Sequence, residues 1–159
     1  MKKENYEIAT FAAGCFWGVE AALRQIKGVK STRVGYTGGK MENPSYEDVC
    51  ADETGHAEAV EVTFDPKQVS YEKLLDVFWG NHNPTQGNRQ GPDVGTQYRS
   101  AVFYHNTKQR ELASKSLKEQ QKKYDKKITT EINPAEKFFK AEDYHQQYLE
   151  KRGMSTCHI

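Results

Sequence analysis

Hydrophobic and polar positions along the chain change period several times. Tyr6 to Ala13, read YEIATFAA, suits a strand, and Phe16, Val19, Leu23 and Ile26 then recur at helical spacing until Gly28 supplies a C-terminal stop. Val29 to Tyr36 alternates weakly, as a second strand. Ser45 is placed to cap a short helical turn through Cys50, and Ala57 to Phe64, AEAVEVTF, alternates clearly as a third strand. Ser70 caps the next predicted helix, whose apolar stripe is Tyr71, Leu74, Leu75 and Phe78. Asn81 to Tyr98 carries three glycines, two prolines and almost no period, a loop longer than compact domains keep without a use. Ser100 to Tyr104 returns to strand, and Asn106 with Gln109 opens a polar helix to Tyr124. Thr129 to Ile132 reads as a last strand, Ala141 to Lys151 as a last helix, and 152–159 as an unpatterned, mobile tail.

The order strand, helix, strand, strand, helix, strand predicts an α/β (α+β) fold of the split βαβ type. This is a ferredoxin-like two-layer sandwich with a mixed, mostly antiparallel sheet, helices on one face, long loops and an extended C-terminal tail. The 159 residues fit one domain, 1–159, without internal repeat or linker. Such an architecture hosts many functions, so the site must carry the functional argument.

Charge narrows the classes. Lys and Arg number 23 against 22 Asp and Glu, a formal net charge of +1, which gives no long-range field for nucleic acid or acidic membrane. Lysines from Lys115 to Lys127 alternate with Glu and Gln, the pattern of a solvated helix face, and no RNA-binding aromatic motif accompanies them. No apolar run approaches the ~18 residues of a membrane span, and Ile8 to Ala13 is too short for a signal peptide. Three cysteines at wide spacing, Cys15, Cys50 and Cys157, suit neither a disulfide scaffold nor a zinc site. The expectation is a soluble, cytoplasmic protein without metal or cofactor, monomeric by default.

The chemistry centres on GCFWG, residues 14–18. Cys15 falls between a strand and a helix, where a helix N-terminus favours thiolate, and the flanking glycines let the backbone turn and a ligand approach. Phe16 and Trp17 cannot both point inward from adjacent helical positions, so one ring is expected to face outward beside the sulfur. On position alone, an inert buried thiol fits equally well. A nucleophile of the hydrolase kind needs a histidine, but His56, His82, His105, His145 and His158 stand in no recognisable partner motif and read as structural or surface groups. Glu58 is better placed. It shares a face of the third strand with Val60, where desolvation would raise its pKa and make it a proton donor; the ordinary alternative is an edge glutamate paired with lysine. Tyr46 and Tyr98 stand in turn-rich segments as oriented phenolic donors, although a tyrosine is more often half-buried packing.

These motifs together resemble the A-type peptide methionine sulfoxide reductases. The resemblance runs through GCFWG, GYTGG (35–39), NPSYEDVC (43–50), TGHAEAVEV (54–62), FWGNHNPTQ (78–86), QGPDVGTQYRS (90–100), ITTEI (128–132) and AEDYHQQY (141–148), nearly the whole chain. It implies that Cys15 attacks the sulfoxide sulfur while Glu58 protonates its oxygen. Tyr46 and Tyr98 would hydrogen-bond that oxygen, Asp93 would support the polar side, and Phe16 and Trp17 would box the S-methyl group. The S epimer, in oxidised proteins or as free methionine sulfoxide, is the implied substrate. The sulfenic acid left on Cys15 would condense with Cys157, the implied resolving cysteine, and a thioredoxin-like dithiol would reduce the disulfide. Cys50 is expected to be a small packed residue, with a resolving role the other reading. A cysteine hydrolase using Cys15 and a histidine is the alternative function, and an RNA-binding sheet a further one.

Overall fold

In the computed structural model, residues 6–51, 54–91 and 93–151 are described. Strand β1 (Glu7–Ala13) leads into helix α1 (Phe16–Arg24), then β2 (Val29–Thr37), the short α2 (Tyr46–Cys50), β3 (Ala57–Phe64) and α3 (Tyr71–Gly80). Two-residue strands β4 (Arg89–Gln90) and β5 (Asp93–Val94) form a small separate ribbon, and a 3-10 turn (Thr96–Tyr98) enters β6 (Ser100–Tyr104). Helix α4 (Thr107–Gln121), β7 (Glu131–Pro134), β8 (Phe139–Lys140), a second 3-10 turn (Asp143–His145) and α5 (Tyr148–Lys151) follow.

The main sheet has the order β7-β6-β1-β3-β2-β8. Its pairings are antiparallel except β6 with β7, which run parallel, so the sheet is mixed. Alternation decides which residues meet which layer. Phe11, Val34, Val60, Val62 and Val102 face a large core that includes Phe16, Val19 and Leu23 of α1 with Leu74, Leu75 and Phe78 of α3. The opposite face is lined by Ala12, Ala57, Ala59, Ala101 and Phe103 and is covered by the half-buried Phe138 and Ala135. The core helices therefore lie on one face of the sheet. Glu58 falls at the parity of Val60 and is only 1 % exposed.

Local signals set the helix starts. Ser45 and Asp48 exchange hydrogen bonds as a capping box, 3.1 Å to the Asp48 N–H and 2.9 Å from the Ser45 N–H. Ser70 accepts from the Lys73 N–H at 3.0 Å, and Asn106 from that of Gln109 at 2.8 Å. Tertiary contacts overrule the pattern nearer the C-terminus. The helix expected over Ala141–Lys151 is reduced to Tyr148–Lys151, because Gln146 spends its amide on both backbone groups of Val34 and Gln147 adopts a left-handed φ of 51°. The last expected strand shifts to Glu131–Pro134, since the Thr129 N–H and hydroxyl both donate to the Pro84 carbonyl. Helix α4 stops at Gln121, whose side chain caps the following turn by accepting from the Ile128 N–H at 2.8 Å. No helix among the described residues is long and apolar enough to cross a membrane. The segment expected to be a tail, 152–159 with Cys157 and His158, lies outside the described residues.

Candidate active site

The site forms where β1 gives way to α1. Gly14 has φ 95°, and a Cβ there would come within 2.8 Å of Gln90 Cγ, so this glycine is needed both for its conformation and for the close approach of the ribbon. Cys15 follows as the N-cap of α1, its carbonyl accepting from the Val19 N–H at 3.5 Å while its side chain makes no capping bond. The thiol thus sits at the positive end of the helix without capping it, and Cys15 is half-buried.

The first N–H of that helix, Phe16 N, donates to Glu58 Oε1 at 3.3 Å. Glu58 Oε2 is buried with no hydrogen-bond partner. Burial raises the carboxyl from its ordinary 4.5 to about 8, with Asp93 adding repulsion and the Phe16 N–H opposing both. Glu58 is therefore mostly a neutral acid at pH 7, and Oε2 is the oxygen without a competing donor.

Tyr46 opens α2, and its backbone N–H donates to Glu142 Oε2 at 2.9 Å. Its hydroxyl is hydrogen-bonded to the Cys50 thiol one helical turn on; burial first, then Cys50, Glu58 and Tyr98 hold the phenol above its ordinary value. Tyr98 ends the 3-10 turn, and its phenol is raised by burial and by the fields of Glu58, Cys50, Asp93 and Cys15. Those shared fields bring Cys15, Glu58, Tyr46, Tyr98 and Asp93 into one cluster, as the sequence reading grouped them. They also bring in Cys50. The expectation that Cys50 is a small packed residue fails: it is exposed, and its thiol is raised by partial burial and by Glu58 and Glu142, against the pull of the Tyr46 hydroxyl.

Phe16 is the inward ring, buried 5.8 Å from the ring of Tyr36 and 5.1 Å from that of His145. Trp17 is the ring left half-exposed. It donates from Nε1 to His145 Nδ1 at 2.9 Å and stacks on Tyr148 with centroids 3.8 Å apart. Accepting at Nδ1 places the proton of neutral His145 on Nε2, and burial lowers the pKa of this ring, so the neutral form is favoured. Glu142 supports the same wall, accepting from the Tyr36 hydroxyl at 3.0 Å as well as from Tyr46 N. Burial alone would raise its pKa, but these donors outweigh it and keep the carboxylate below its ordinary value.

Tyr36, Glu142, His145 and Tyr148 are wall residues that the sequence patterns do not single out. The last three lie in the dense polar and aromatic run AEDYHQQY, which an amphipathic helix does not require, and Tyr36 in the GYTGG segment that ends β2. The other described histidines tie the structure together. His56 accepts from Gly39 N at 2.9 Å and bonds the Met41 carbonyl at 2.6 Å; His105 bonds Thr10 at 2.8 Å. His82 bonds the Phe78 carbonyl and Ser100, both at 2.7 Å, and burial takes its pKa to about 4. His56, His82 and His105 are thus engaged in structural bonds, whereas His145, beside the site, keeps its Nε2 buried without a hydrogen-bond partner. Among the described residues no cluster of three or more His, Cys, Asp or Glu side chains could hold a metal ion.

A thiol at a helix N-terminus beside a buried neutral carboxylic acid, phenols and an aromatic wall is the equipment of a cysteine redox enzyme. The family model described as peptide methionine sulfoxide reductase matches residues 7–159. Peptide methionine sulfoxide reductase MsrA of Methanothermobacter thermautotrophicus is 60% identical over 157 residues, 98% of this chain and 93% of that protein. Mxr1 from Saccharomyces cerevisiae in reduced form superposes with a TM-score of 0.90 at 38% identity, covering 96% of this chain and 88% of that one. Mxr1 in complex with Trx2 superposes at 0.65 and 27% identity, over 93% and 90% of the two chains. The chain belongs to the peptide methionine sulfoxide reductase family.

Proposed function

We propose that this chain reduces the S epimer of methionine sulfoxide, in oxidised proteins and free, to methionine, with Cys15 as nucleophile and Glu58 as acid. The observation that carries the reading is Glu58: a carboxyl with a pKa of about 8, one oxygen on the helix N-terminus that presents Cys15 and the other oxygen unpartnered.

A sulfoxide oxygen is a poor leaving group until it is protonated. Cys15 attacks the sulfur as thiolate, Glu58 delivers its proton to the oxygen, and the Tyr46 and Tyr98 hydroxyls stabilise the charge gathered there. Asp93 steadies the polar side and helps keep Glu58 protonated. Phe16 and Trp17 enclose the methyl group, with Trp17 oriented by His145 and Tyr148. The sulfoxide accepts two electrons and leaves as methionine, and the thiol becomes sulfenic acid.

The sulfenic acid then loses water to the thiol of Cys157, forming a disulfide. Reach supports this pairing. Six residues separate Lys151 from Cys157 and span at most about 20 Å, and α5 starts at Tyr148, stacked on Trp17 two residues from Cys15. A dithiol protein of the thioredoxin kind reduces the disulfide by exchange; the relative captured with Trx2 supports that partner.

The neighbour order β6-β1-β3-β2 supports a ferredoxin-like, split βαβ sandwich extended by β7 and β8. We read the chain as one catalytic domain that works as a monomer in a reducing compartment such as the cytoplasm, where these thiols persist. The test follows the separated S and R epimers of N-acetyl-methionine sulfoxide with dithiothreitol, using native protein and Cys15→Ser. Turnover of the S epimer alone, abolished in the variant, is the expected result. Turnover of neither epimer by folded, reduced protein overturns the reading.

A further inference from the structure

Buried in α1, five residues after Cys15, is a second carboxylate that the chemistry above does not use. Glu20 is 1 % exposed. Its Oε1 accepts from the Gln147 backbone N–H at 2.7 Å, and its Oε2 accepts from the Thr32 hydroxyl at 2.7 Å and from Gln147 Nε2 at 2.9 Å. Gln147 also donates to the Thr32 carbonyl at 3.2 Å. Gln147 is held in the left-handed region, φ 51°, a conformation that costs a non-glycine residue free energy and persists only where its surroundings impose it.

We propose that Glu20 and Gln147 form a clamp that docks the start of the C-terminal segment on the catalytic helix and so governs disulfide formation rather than sulfoxide reduction. This rests on the reading of Cys157 as the resolving cysteine. The anchors along this part of the chain act in series. Glu142 and Gln146 fix the wall next to Tyr46 and Val34, and His145 orients Trp17 by its own hydrogen bond. None of those needs Glu20. Gln147 holds the entry to α5, whose own anchors are the Tyr148 ring lying flat on Trp17 and the buried Leu149.

With the clamp closed, the tether to Cys157 starts at the docked end of α5, six residues away. With it open, α5 is held only by the Tyr148 ring on Trp17 and by Leu149, and whenever these let go the last fixed point retreats to Gln146, eleven positions away. Effective concentration falls with about the 3/2 power of tether length, so over that retreat encounter of the two sulfurs slows by about 2.5-fold, and further because the starting direction is no longer set. The step affected is Cys15–SOH plus Cys157–SH giving the disulfide and water.

The test is rapid-quench kinetics of one turnover without reductant, following methionine release and, separately, disulfide formation and dimedone-trapped sulfenic acid. Glu20→Gln leaves one acceptor oxygen for three donors, and Gln147→Ala removes the side-chain half of the clamp; melting curves establish that each is folded. Both variants are expected to release methionine at the native rate, to form the disulfide about 2.5-fold or more slowly, and to accumulate the dimedone adduct. Combined, they should be no slower than the worse of the two. Disulfide formation at the native rate in folded Gln147→Ala and Glu20→Gln, or equal slowing of methionine release, overturns the clamp. Cys157→Ser separates the premise: persistent sulfenic acid keeps it, whereas an intramolecular disulfide in that variant refutes the resolving role and the clamp with it.

Discussion

Replacing Glu58 by glutamine separates stability from activity in a way that depends on pH. In the unfolded chain this carboxyl ionises above about 4.5, whereas in the fold it keeps its proton to about 8. Between those values the folded state binds more protons, so the contribution of Glu58 to stability becomes less favourable as pH rises through the window. At about 1.36 kcal/mol per pH unit, the penalty grows from about 1 kcal/mol at pH 5 to about 3 kcal/mol at pH 7. Glu58→Gln cannot ionise and escapes it. The amide also leaves a buried N–H unpaired, at a cost of about 1–3 kcal/mol, but that cost does not vary with pH and cancels between conditions. Urea unfolding of reduced native protein and variant at pH 5 and pH 7 should therefore show the variant gaining about 2–3 kcal/mol relative to native as pH rises. First-turnover methionine release should meanwhile fall by about 10²–10⁴, the usual worth of a general acid. Stability differences equal at the two pH values would refute the reasoning, because the Glu58 carboxyl would then titrate as it does in the unfolded chain and carry no proton at neutral pH.

Two further outcomes follow from the same geometry. Tyr46→Phe and Tyr98→Phe should each lower the rate of methionine release by about tenfold, and the double variant by at least about 10²-fold, because the two donors and Glu58 share one oxygen; an unchanged rate in the double variant would remove the phenols from the chemistry. Gly14→Ala, forced to φ 95° with its Cβ against Gln90, should lose about 1–2 kcal/mol and melt several degrees lower, and a native melting curve would contradict the turn described for Gly14.

Much of the site was legible because its residues lie at positions that local rules identify. GCFWG stands between an alternating strand and a 3.6-period helix, so Cys15 had to fall at a helix start. The parity of β3 put Glu58 with Val60, on the face that turned out to carry α1. Ser45, Ser70 and Asn106 marked helix starts through bonds spanning three residues, and the structure contains all three. The AEDYHQQY run was misread as one helix because its side chains answer to partners more than a hundred residues earlier: Gln146 to Val34, Gln147 to Glu20 and His145 to Trp17. No local period records such contacts. Cys50 differs from its expectation because the short α2 buries Val49 and leaves Cys50 exposed, a choice of face that five residues of helix do not reveal.

The sequence by itself determined most of the elements, the place of Cys15 at a helix start and the place of Glu58 on the Val60 face of β3, because periodicity, caps and strand parity are short-range and each is settled within a few residues. Only the tertiary structure decided that Glu58 is dry enough to hold a proton near pH 8, that Trp17 rather than Phe16 is the open ring, and that residues 141–147 run along the site instead of joining α5 in one helix. Those outcomes depend on desolvation and on hydrogen bonds between distant segments, which exist only once the sheet and α1 have brought those segments together.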